Sequence, residues 1–147
     1  MRRDSGYRPD MVTIRASYEG DLRCTAVHEP SGTVLRTDAP KDNEGLGESF
    51  SPTDLLATGL ATCVMTILGI VARRDGLDLR GMTAVVEKHM VTEPLRRVGR
   101  LPVTVTIPVP LDDHQRRKLE RAAHLCPVHQ SILPDIETSI TFVYAAG

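Results

Sequence analysis

The cysteines are the residues of this chain best suited to chemistry, and Cys126 has the most informative context. It opens the run Cys-Pro-Val-His-Gln-Ser-Ile, in which Pro127 favours the first position of a helix and so puts Cys126 at the N-cap. Free backbone N–H groups at a helix N-terminus favour a thiolate, so we expect a lowered pKa and a reactive thiol. Small polar caps without chemistry are also common, which leaves a structural role open.

The other cysteines, Cys63 and Cys24, carry weaker local signals. Cys63 lies between Thr62 and Val64 near the middle of a long apolar segment. Free cysteine behaves as a small hydrophobe, so this position alone favours packing and leaves function open. Cys24 lies in a β-prone stretch without a helix terminus or a base nearby, and we interpret it as structural.

A metal site is a competing interpretation of the same region. His124, Cys126 and His129 carry imidazole and thiolate groups, the usual zinc donors. Their His-x-Cys-x-x-His spacing is not a standard zinc pattern, and no paired Cys-x-x-Cys occurs elsewhere, so we expect no metal. No cofactor is predicted. The basic run from Arg116 to Arg121 has no interleaved aromatic residues, which indicates a solvated helix face rather than a nucleic-acid surface.

Length and composition narrow the class of protein. The 147 residues match one domain, which we place at residues 12–147 behind a flexible arm at residues 1–11. A net charge of -1 and 3% aromatic residues favour neither nucleic acid nor a membrane surface as partner. Three cysteines are an odd number for a disulfide scaffold and favour a reducing, cytoplasmic setting. The polar first residues do not resemble a signal peptide.

The elements that must position these residues follow from apolar periodicity and turn signals, and their order predicts an α+β fold. Ser51-Pro52-Thr53-Asp54 is typical of a helix start. Prolines at 102, 108 and 110 predict that the adjoining strand lies at a sheet edge. Strands are predicted at 12–18, 22–27, 33–37, 82–91, 101–109 and 136–144, and helices at 52–74 and 112–125.

The first predicted helix is apolar on nearly every side. Residues 55–72 carry no charge, a length close to that of a membrane span, but their threonines and glycines favour a buried helix of a soluble protein. Such a helix must be covered all round. Small residues at Ala57, Gly59, Ala61 and Gly69 would let a second helix approach closely, so we infer a tight homodimer.

Two separated motifs together resemble the OsmC/Ohr family of hydroperoxide reductases. The first runs from Phe50 to Cys63, Phe-Ser-Pro-Thr-Asp-Leu-Leu-Ala-Thr-Gly-Leu-Ala-Thr-Cys, and the second is Cys-Pro-Val-His from Cys126. The stretch from Tyr18 to Arg23 is similar to the family's first hairpin, and the element order matches its fold over residues 12 to 145. The resemblance implies an OsmC-like fold, with antiparallel sheets around a long central helix in an intertwined homodimer.

The resemblance also implies the roles of the two cysteines. Cys63 corresponds to the thiolate that attacks the peroxide, and Cys126 to the second cysteine, which closes a disulfide on the resulting sulfenic acid. A dithiol reductant, in the family a lipoylated protein, then reopens the disulfide. The two active sites are expected at the subunit interface.

An arginine of the N-terminal hairpin supports the thiolate in this family, and Arg23 is the best match, with Arg15 in reserve. The Ohr branch holds its arginine with a glutamate at the position that is Thr53 here. We consider Glu48 and Asp54 as carboxylates that could hold the arginine in place of this glutamate. Asp54 could instead belong to the N-terminal cap of the first predicted helix. With threonine at this position, the sequence resembles a broader OsmC-like branch of the family rather than the Ohr branch itself.

The sequence therefore predicts a peroxiredoxin-like peroxidase that reduces organic hydroperoxides, with hydrogen peroxide as a second substrate. Apolar residues around Cys63 suit an apolar substrate tail. The alternative is an OsmC-like small-molecule binding or redox-sensing protein with little peroxidase turnover. The feature that indicates this alternative is Thr53, which replaces the glutamate of the Ohr branch.

Overall fold

The computed structural model describes residues 10–146, in which the chain divides into two compact units between Pro52 and Thr53. Residues 1–9 of the predicted N-terminal arm lie outside the described residues, and Asp10 and Met11 form a turn and an isolated bridge. The assignment of residues 12–147 to one domain remains a prediction.

The first unit is an antiparallel three-stranded sheet in the order β1-β2-β3. A tight turn at Asp21 and Leu22, both with positive φ, joins the first two strands, so β1 extends two residues beyond its predicted end at 18. After the third strand comes a single 3-10 turn. The bounds are Ile14–Gly20 for β1, Arg23–His28 for β2, Thr33–Asp38 for β3 and Lys41–Asn43 for the 3-10 turn.

One face of this sheet is apolar and open. The register aligns Ala16 with Ala26 and Ala26 with Leu35, and side chains of alternating residues share a face. That face, called the apolar face below, carries six apolar residues, which are Ile14, Ala16, Tyr18, Cys24, Ala26 and Leu35, with His28, Thr33 and Thr37 at its ends. Ile14 is 63% exposed, Tyr18 67% and Leu35 39%. The strands therefore bury little core of their own, although a sheet this small needs a packed face for stability.

The second unit holds three helices, which are Pro52–Arg74 for α1, Asp113–Ala123 for α2 and Pro127–Ser131 for α3. The predicted bounds of α1 are confirmed. Gly76, with φ +72, follows the helix in the left-handed conformation that ends helices, and Leu77 N–H bonds back to Ala72 O.

The helix α1 is buried on one face, not all round as expected. Leu60, Val64 and Leu68 are fully buried in the core, whereas Thr62, Thr66 and Ile70 on the opposite side are exposed. The threonine hydroxyls donate to carbonyls one turn back, which satisfies these polar groups inside an apolar helix. An 18-residue stretch of α1 has a mean hydropathy of 2.2, so the helix is long and apolar enough to cross a membrane, as the core helix of a soluble protein can also be.

Five strands complete the second unit in two small sheets. Their bounds are Thr83–Val86 for β4, His89–Val91 for β5, Arg97–Arg100 for β6, Val103–Ile107 for β7 and Ile140–Tyr144 for β8. One sheet has the order β4-β7-β8, and β5 pairs with β6. The predicted strand at 82–91 is thus two strands with different partners, and β6 was missed. Because β8 runs parallel to β7, the larger sheet is mixed rather than purely antiparallel.

The prediction of an edge strand at residues 101–109 is wrong, since β7 lies in the centre of its sheet. Pro102 and Pro108 fall just outside the paired residues, so neither removes a donor from the ladder. Val103, Val105 and Ile107 alternate into the core with at most 1% exposure. The α+β class predicted from the sequence is confirmed.

Candidate active site

The helix α1 presents Cys63 from its middle turns. Leu60 and Val64 on the same helix are fully buried, and Cys63 beside them is partly exposed while still packing against the core cluster. That cluster contains Cys126, which is fully buried. Cys63 is therefore partly open to solvent while it contacts the interior.

The short helix α3 begins at the second cysteine, as predicted. Cys126 is the N-cap with extended backbone, Pro127 is the first helical residue, and the backbone N–H of His129 donates to Cys126 Sγ at 3.2 Å. The cap prediction is confirmed. The proline supplies the required φ, and the thiol satisfies one of the otherwise unpaired donors at the helix start.

The predicted lowering of the Cys126 pKa is wrong. Burial raises the pKa of the Cys126 thiol, and this outweighs the N–H groups of His129 and Val128, which lower it. The hydrogen bond and charge interaction with Cys63 raise the pKa further. The sequence reveals the cap but not the burial, and desolvation of a thiolate is the larger effect here.

The structure brings the two predicted redox cysteines together. The side chain of Cys126 is in hydrogen-bonding contact with Cys63, and both cysteines are free thiols. Cys24 is also a free thiol and lies in β2 of the first unit.

In the first unit, Arg23 is held by two carboxylates. Its guanidinium donates to Glu48 Oε2 at 2.5 Å and lies 3.7 Å from Asp38 Oδ2, the residue opposite it in β3. The pKa of Arg23 is raised above its ordinary value, mainly by the hydrogen bond and charge of Glu48 and then by Asp38. Arg23 is thus fixed and fully charged.

A folded-back loop brings Glu48 to this position. The loop passes so close to Ala39 that a Cβ on Gly45 would lie 1.8 Å from the Ala39 carbonyl oxygen, so only glycine fits. The Glu48 N–H then donates to Asp38 Oδ2 at 2.9 Å. Asp38 is 2% exposed, and sequence reasoning missed it because it lies just beyond the predicted strand at 33–37. The sequence feature that could have identified Asp38 is a carboxylate at the end of a strand, just before a loop that contains glycines.

Asp54, the alternative partner for Arg23, binds a lysine that sequence reasoning also missed. Lys88 Nζ lies 2.7 Å from Asp54 Oδ1 and 2.8 Å from Thr53 Oγ1, and its side chain is 16% exposed. Of the two carboxylates considered, Glu48 is therefore the one that pairs with Arg23. The guanidinium of Arg15 pairs with Glu29.

The histidine near Cys126 has defined partners on one side only. His129 Nε2 lies 3.0 Å from Thr138 Oγ1, and the ring packs edge-to-face on His124 with 5.6 Å between centroids. His129 Nδ1 is buried and has no hydrogen-bond partner among the described residues. Within residues 10–146, no group of three or more His, Cys, Asp or Glu side chains is arranged to hold a metal ion.

These features define a small α+β protein with a paired thiol site. Residues 45–141 match the family model described as OsmC-like protein, and the chain belongs to that family. An uncharacterised protein of Acinetobacter baylyi is 27% identical over 135 residues, which cover 90% of this chain and 94% of the relative.

Two solved structures illustrate the structural similarity. A proposed osmotic stress induced and detoxification response protein from Psychrobacter arcticus has 46% identity and a TM-score of 0.86, covering 90% of this chain and 96% of its own. The organic hydroperoxide resistance protein OhrB of Bacillus subtilis has 18% identity and a TM-score of 0.68, covering 90% and 98%. The second shows the common fold alone.

Proposed function

We propose that this protein is a thiol-dependent peroxidase that reduces organic hydroperoxides, and also hydrogen peroxide, through Cys63 and Cys126. The observation that carries the proposal is the contact between two free thiols of unequal character, one partly exposed and one fully buried. The family and the hydroperoxide resistance proteins that share its fold support it.

In the proposed reaction, the Cys63 thiolate attacks the O–O bond of the peroxide and forms Cys63 sulfenic acid, with release of the alcohol. Cys126 then attacks the sulfenic sulfur, forms the Cys63–Cys126 disulfide and releases water. A dithiol reductant, by family resemblance a lipoylated protein, restores both thiols. This cycle suits the reducing setting of the cytoplasm.

Arg23 is the proposed stabiliser of the Cys63 thiolate, by the family resemblance. Arg23 has two carboxylate partners, Glu48 and Asp38, whereas Arg15 pairs with Glu29. This supports Arg23 over Arg15, because a guanidinium held from two sides is preorganised. The intertwined homodimer belongs to the same proposal. Open space beside Gly59 and Gly69 on α1 and the apolar face of the first unit support an association with a second copy.

A binding or redox-sensing protein with little turnover is the second candidate. The observation that favours it is Thr53, which stands where the Ohr branch has a glutamate and accepts a hydrogen bond from Lys88. Lys88 therefore contacts the neutral side chain that stands where the resemblance implies an anion. Steady-state consumption of cumene hydroperoxide with a dithiol separates the two candidates, because a sensor would be oxidised once without sustained turnover.

Single cysteine variants test the peroxidase proposal. Cys63→Ser should abolish hydroperoxide consumption, whereas Cys126→Ser should permit one oxidation at Cys63 and then stall or over-oxidise. Cys24→Ser is the matched control and should turn over like wild type. Peroxide loss measured with excess dithiol checks this, and equal turnover by wild type and Cys63→Ser would falsify the proposal.

A further inference from the structure

The positive charge of this protein is concentrated on the second helix. Residues 116–121 of α2 carry four cations and one carboxylate, although the whole chain has a net charge of -1. Lys118 is compensated by Asp75, with 2.7 Å between Nζ and Oδ2. Arg117 and Arg121 are exposed, and their guanidinium groups have no hydrogen-bond or ion-pair partner among the described residues.

The carboxylate within this run has another partner. Glu120 Oε1 accepts a hydrogen bond from the hydroxyl of Tyr144, and the guanidinium of Arg116 lies 4.4 Å from the centroid of the same ring. Arg117 and Arg121 are four residues apart, where like charges destabilise a helix. No ion pair within the described residues offsets this repulsion, so an anionic partner would relieve it.

The cationic surface of α2 continues to the residue before Cys126. The N–H of Leu125 bonds to Ala122 O in a continuing turn, so Leu125 falls on the side of the helix that carries the residues four and eight positions earlier. Leu125 is 70% exposed, the highest value of any large hydrophobic residue in the described part of the chain. This surface, called the docking face below, comprises Arg117, Arg121, His124 and Leu125.

The shape of the docking face suits a protein better than a small molecule. Arg117, Arg121 and His124 line a shallow, open depression of about 330 Å³ together with Glu120. Small ligands are held mainly in clefts that enclose most of their surface, whereas protein interfaces combine an apolar anchor with a polar rim. An exposed leucine beside two unpaired arginines is therefore complementary to an acidic protein surface.

We propose that the docking face binds the dithiol reductant, an acidic protein, while the Cys63–Cys126 disulfide is reopened. This inference rests on the proposed function. The docking face ends one residue before Cys126, and the Cys126 side chain contacts Cys63. A partner bound there therefore lies next to the segment that carries the disulfide.

The reopening consists of two thiol–disulfide exchanges. Cys63 is partly exposed and Cys126 is fully buried, so a thiolate of the reductant attacks the Cys63 sulfur and Cys126 leaves as a thiolate. The second thiol of the reductant then attacks its own sulfur in the mixed disulfide, which releases Cys63. The reductant is oxidised to a disulfide, both cysteines are reduced, and the two protons of the dithiol pass to them.

Charge reversal at the docking face, measured with two reductants, tests the inference. Arg121→Glu and Arg74→Glu are a matched pair, because both arginines are exposed and lie in the last turn of a helix. Neither guanidinium has a partner among residues 10–146. Turnover of cumene hydroperoxide is measured with a reduced lipoylated protein domain of net negative charge and, separately, with free dihydrolipoamide, which is uncharged.

The two reductants separate docking from chemistry. With the lipoylated domain, kcat/KM of Arg121→Glu should fall about tenfold or more through loss of electrostatic attraction, whereas Arg74→Glu should stay near wild type. Added salt should lower kcat/KM of the wild type with this domain and should affect Arg121→Glu less. With dihydrolipoamide all three proteins should turn over alike, which also shows that each variant folds and keeps its thiol pair.

Several results would overturn the inference. They are equal losses in both arginine variants, an unchanged kcat/KM in Arg121→Glu, and a wild type that accepts dihydrolipoamide but not the lipoylated domain. A dimeric wild type with a monomeric Arg121→Glu in sedimentation velocity would assign the docking face to a second copy of the chain and would also overturn it. If the wild type consumes no hydroperoxide even with dihydrolipoamide, the proposed function itself fails.

Discussion

Two opposing effects act on the thiol of Cys126. The N-terminus of α3 offers N–H groups to the sulfur, which lowers its pKa, and complete burial raises it. Burial is the stronger effect, because five residues of helix cannot replace the solvation that a thiolate loses. This supports the proposed assignment of Cys126 as the second cysteine, which must be deprotonated, rather than as the first nucleophile.

The cluster around Arg23 supplies a prediction at the residue scale. Glu48→Gln removes the charge that pairs with Arg23, whereas Asp54→Asn changes the partner of Lys88. Loss of a positioning group lowers rates through misplacement of the group it holds. We expect oxidation of Cys63 by cumene hydroperoxide to slow about tenfold in Glu48→Gln and to stay near wild type in Asp54→Asn. Stopped-flow measurement of the first oxidation step gives both rates.

The reverse order would contradict this assignment. If Asp54→Asn slows the oxidation and Glu48→Gln does not, then the carboxylate at the start of α1 takes the place of the glutamate that the family resemblance implies at Thr53. Thermal unfolding of both variants distinguishes a loss of folded protein from a loss of rate.

At the scale of elements, β7 carries the core of the second unit. Its buried residues alternate with exposed threonines, as a strand with one covered face requires. The prolines around β7 suggested an edge strand because proline cannot donate a hydrogen bond to a neighbouring strand. The sequence does not show that these prolines lie outside the paired residues. Pairing on both sides, with β4 and β8, places Val105 among fully buried residues.

Two valines in paired strands give a matched test of this core. Val105 is fully buried in β7, and Val85 in β4 is 66% exposed. Val105→Ala removes two buried methyl groups and leaves a cavity, so we expect a loss of about 2 kcal/mol in the free energy of unfolding. Val85→Ala bears the same change in strand preference but should cost well under about 1 kcal/mol. Urea unfolding of both variants measures the difference, and equal losses would refute the central position of β7.

At the scale of the whole molecule, the first unit exposes much of the apolar surface that its strands create. The apolar face of β1–β3 stays open, and among the described residues of this unit only Asp38 and Ser51 are buried. Large contiguous apolar patches are uncommon on soluble monomers and mark sites of association. This agrees with the homodimer that the family resemblance implies.

Adjacent residues of β3 allow a matched test of that association. Leu35 lies on the apolar face and Val34 on the opposite face, with exposures of 39% and 54%. Leu35→Asp places a charge on the apolar face and should shift the protein from dimer to monomer, while Val34→Asp should leave the dimer intact. Sedimentation velocity gives the oligomeric state. A monomeric wild type, or equal dissociation in both variants, would exclude this face as the contact.

The sequence was sufficient wherever the controlling interaction is local. The three strands of the first unit, placed to within two residues, the bounds of α1 and the cap at Cys126 follow from residue preferences within a few positions. The α+β class follows from the order of those elements, and the two motifs identify the family. The candidate roles of Cys63, Cys126 and Arg23 come from that resemblance rather than from spacing.

Only the tertiary structure decided what depends on distant residues. It determined the contact between Cys63 and Cys126, the pairing of Arg23 with Glu48 and of Asp54 with Lys88, and the division of residues 82–91 between two sheets. It also reversed the expected direction of the Cys126 pKa, because burial is a property of the packed core. A helix cap can be recognised from neighbouring residues, but solvent exclusion and ion pairing depend on which separated segments meet.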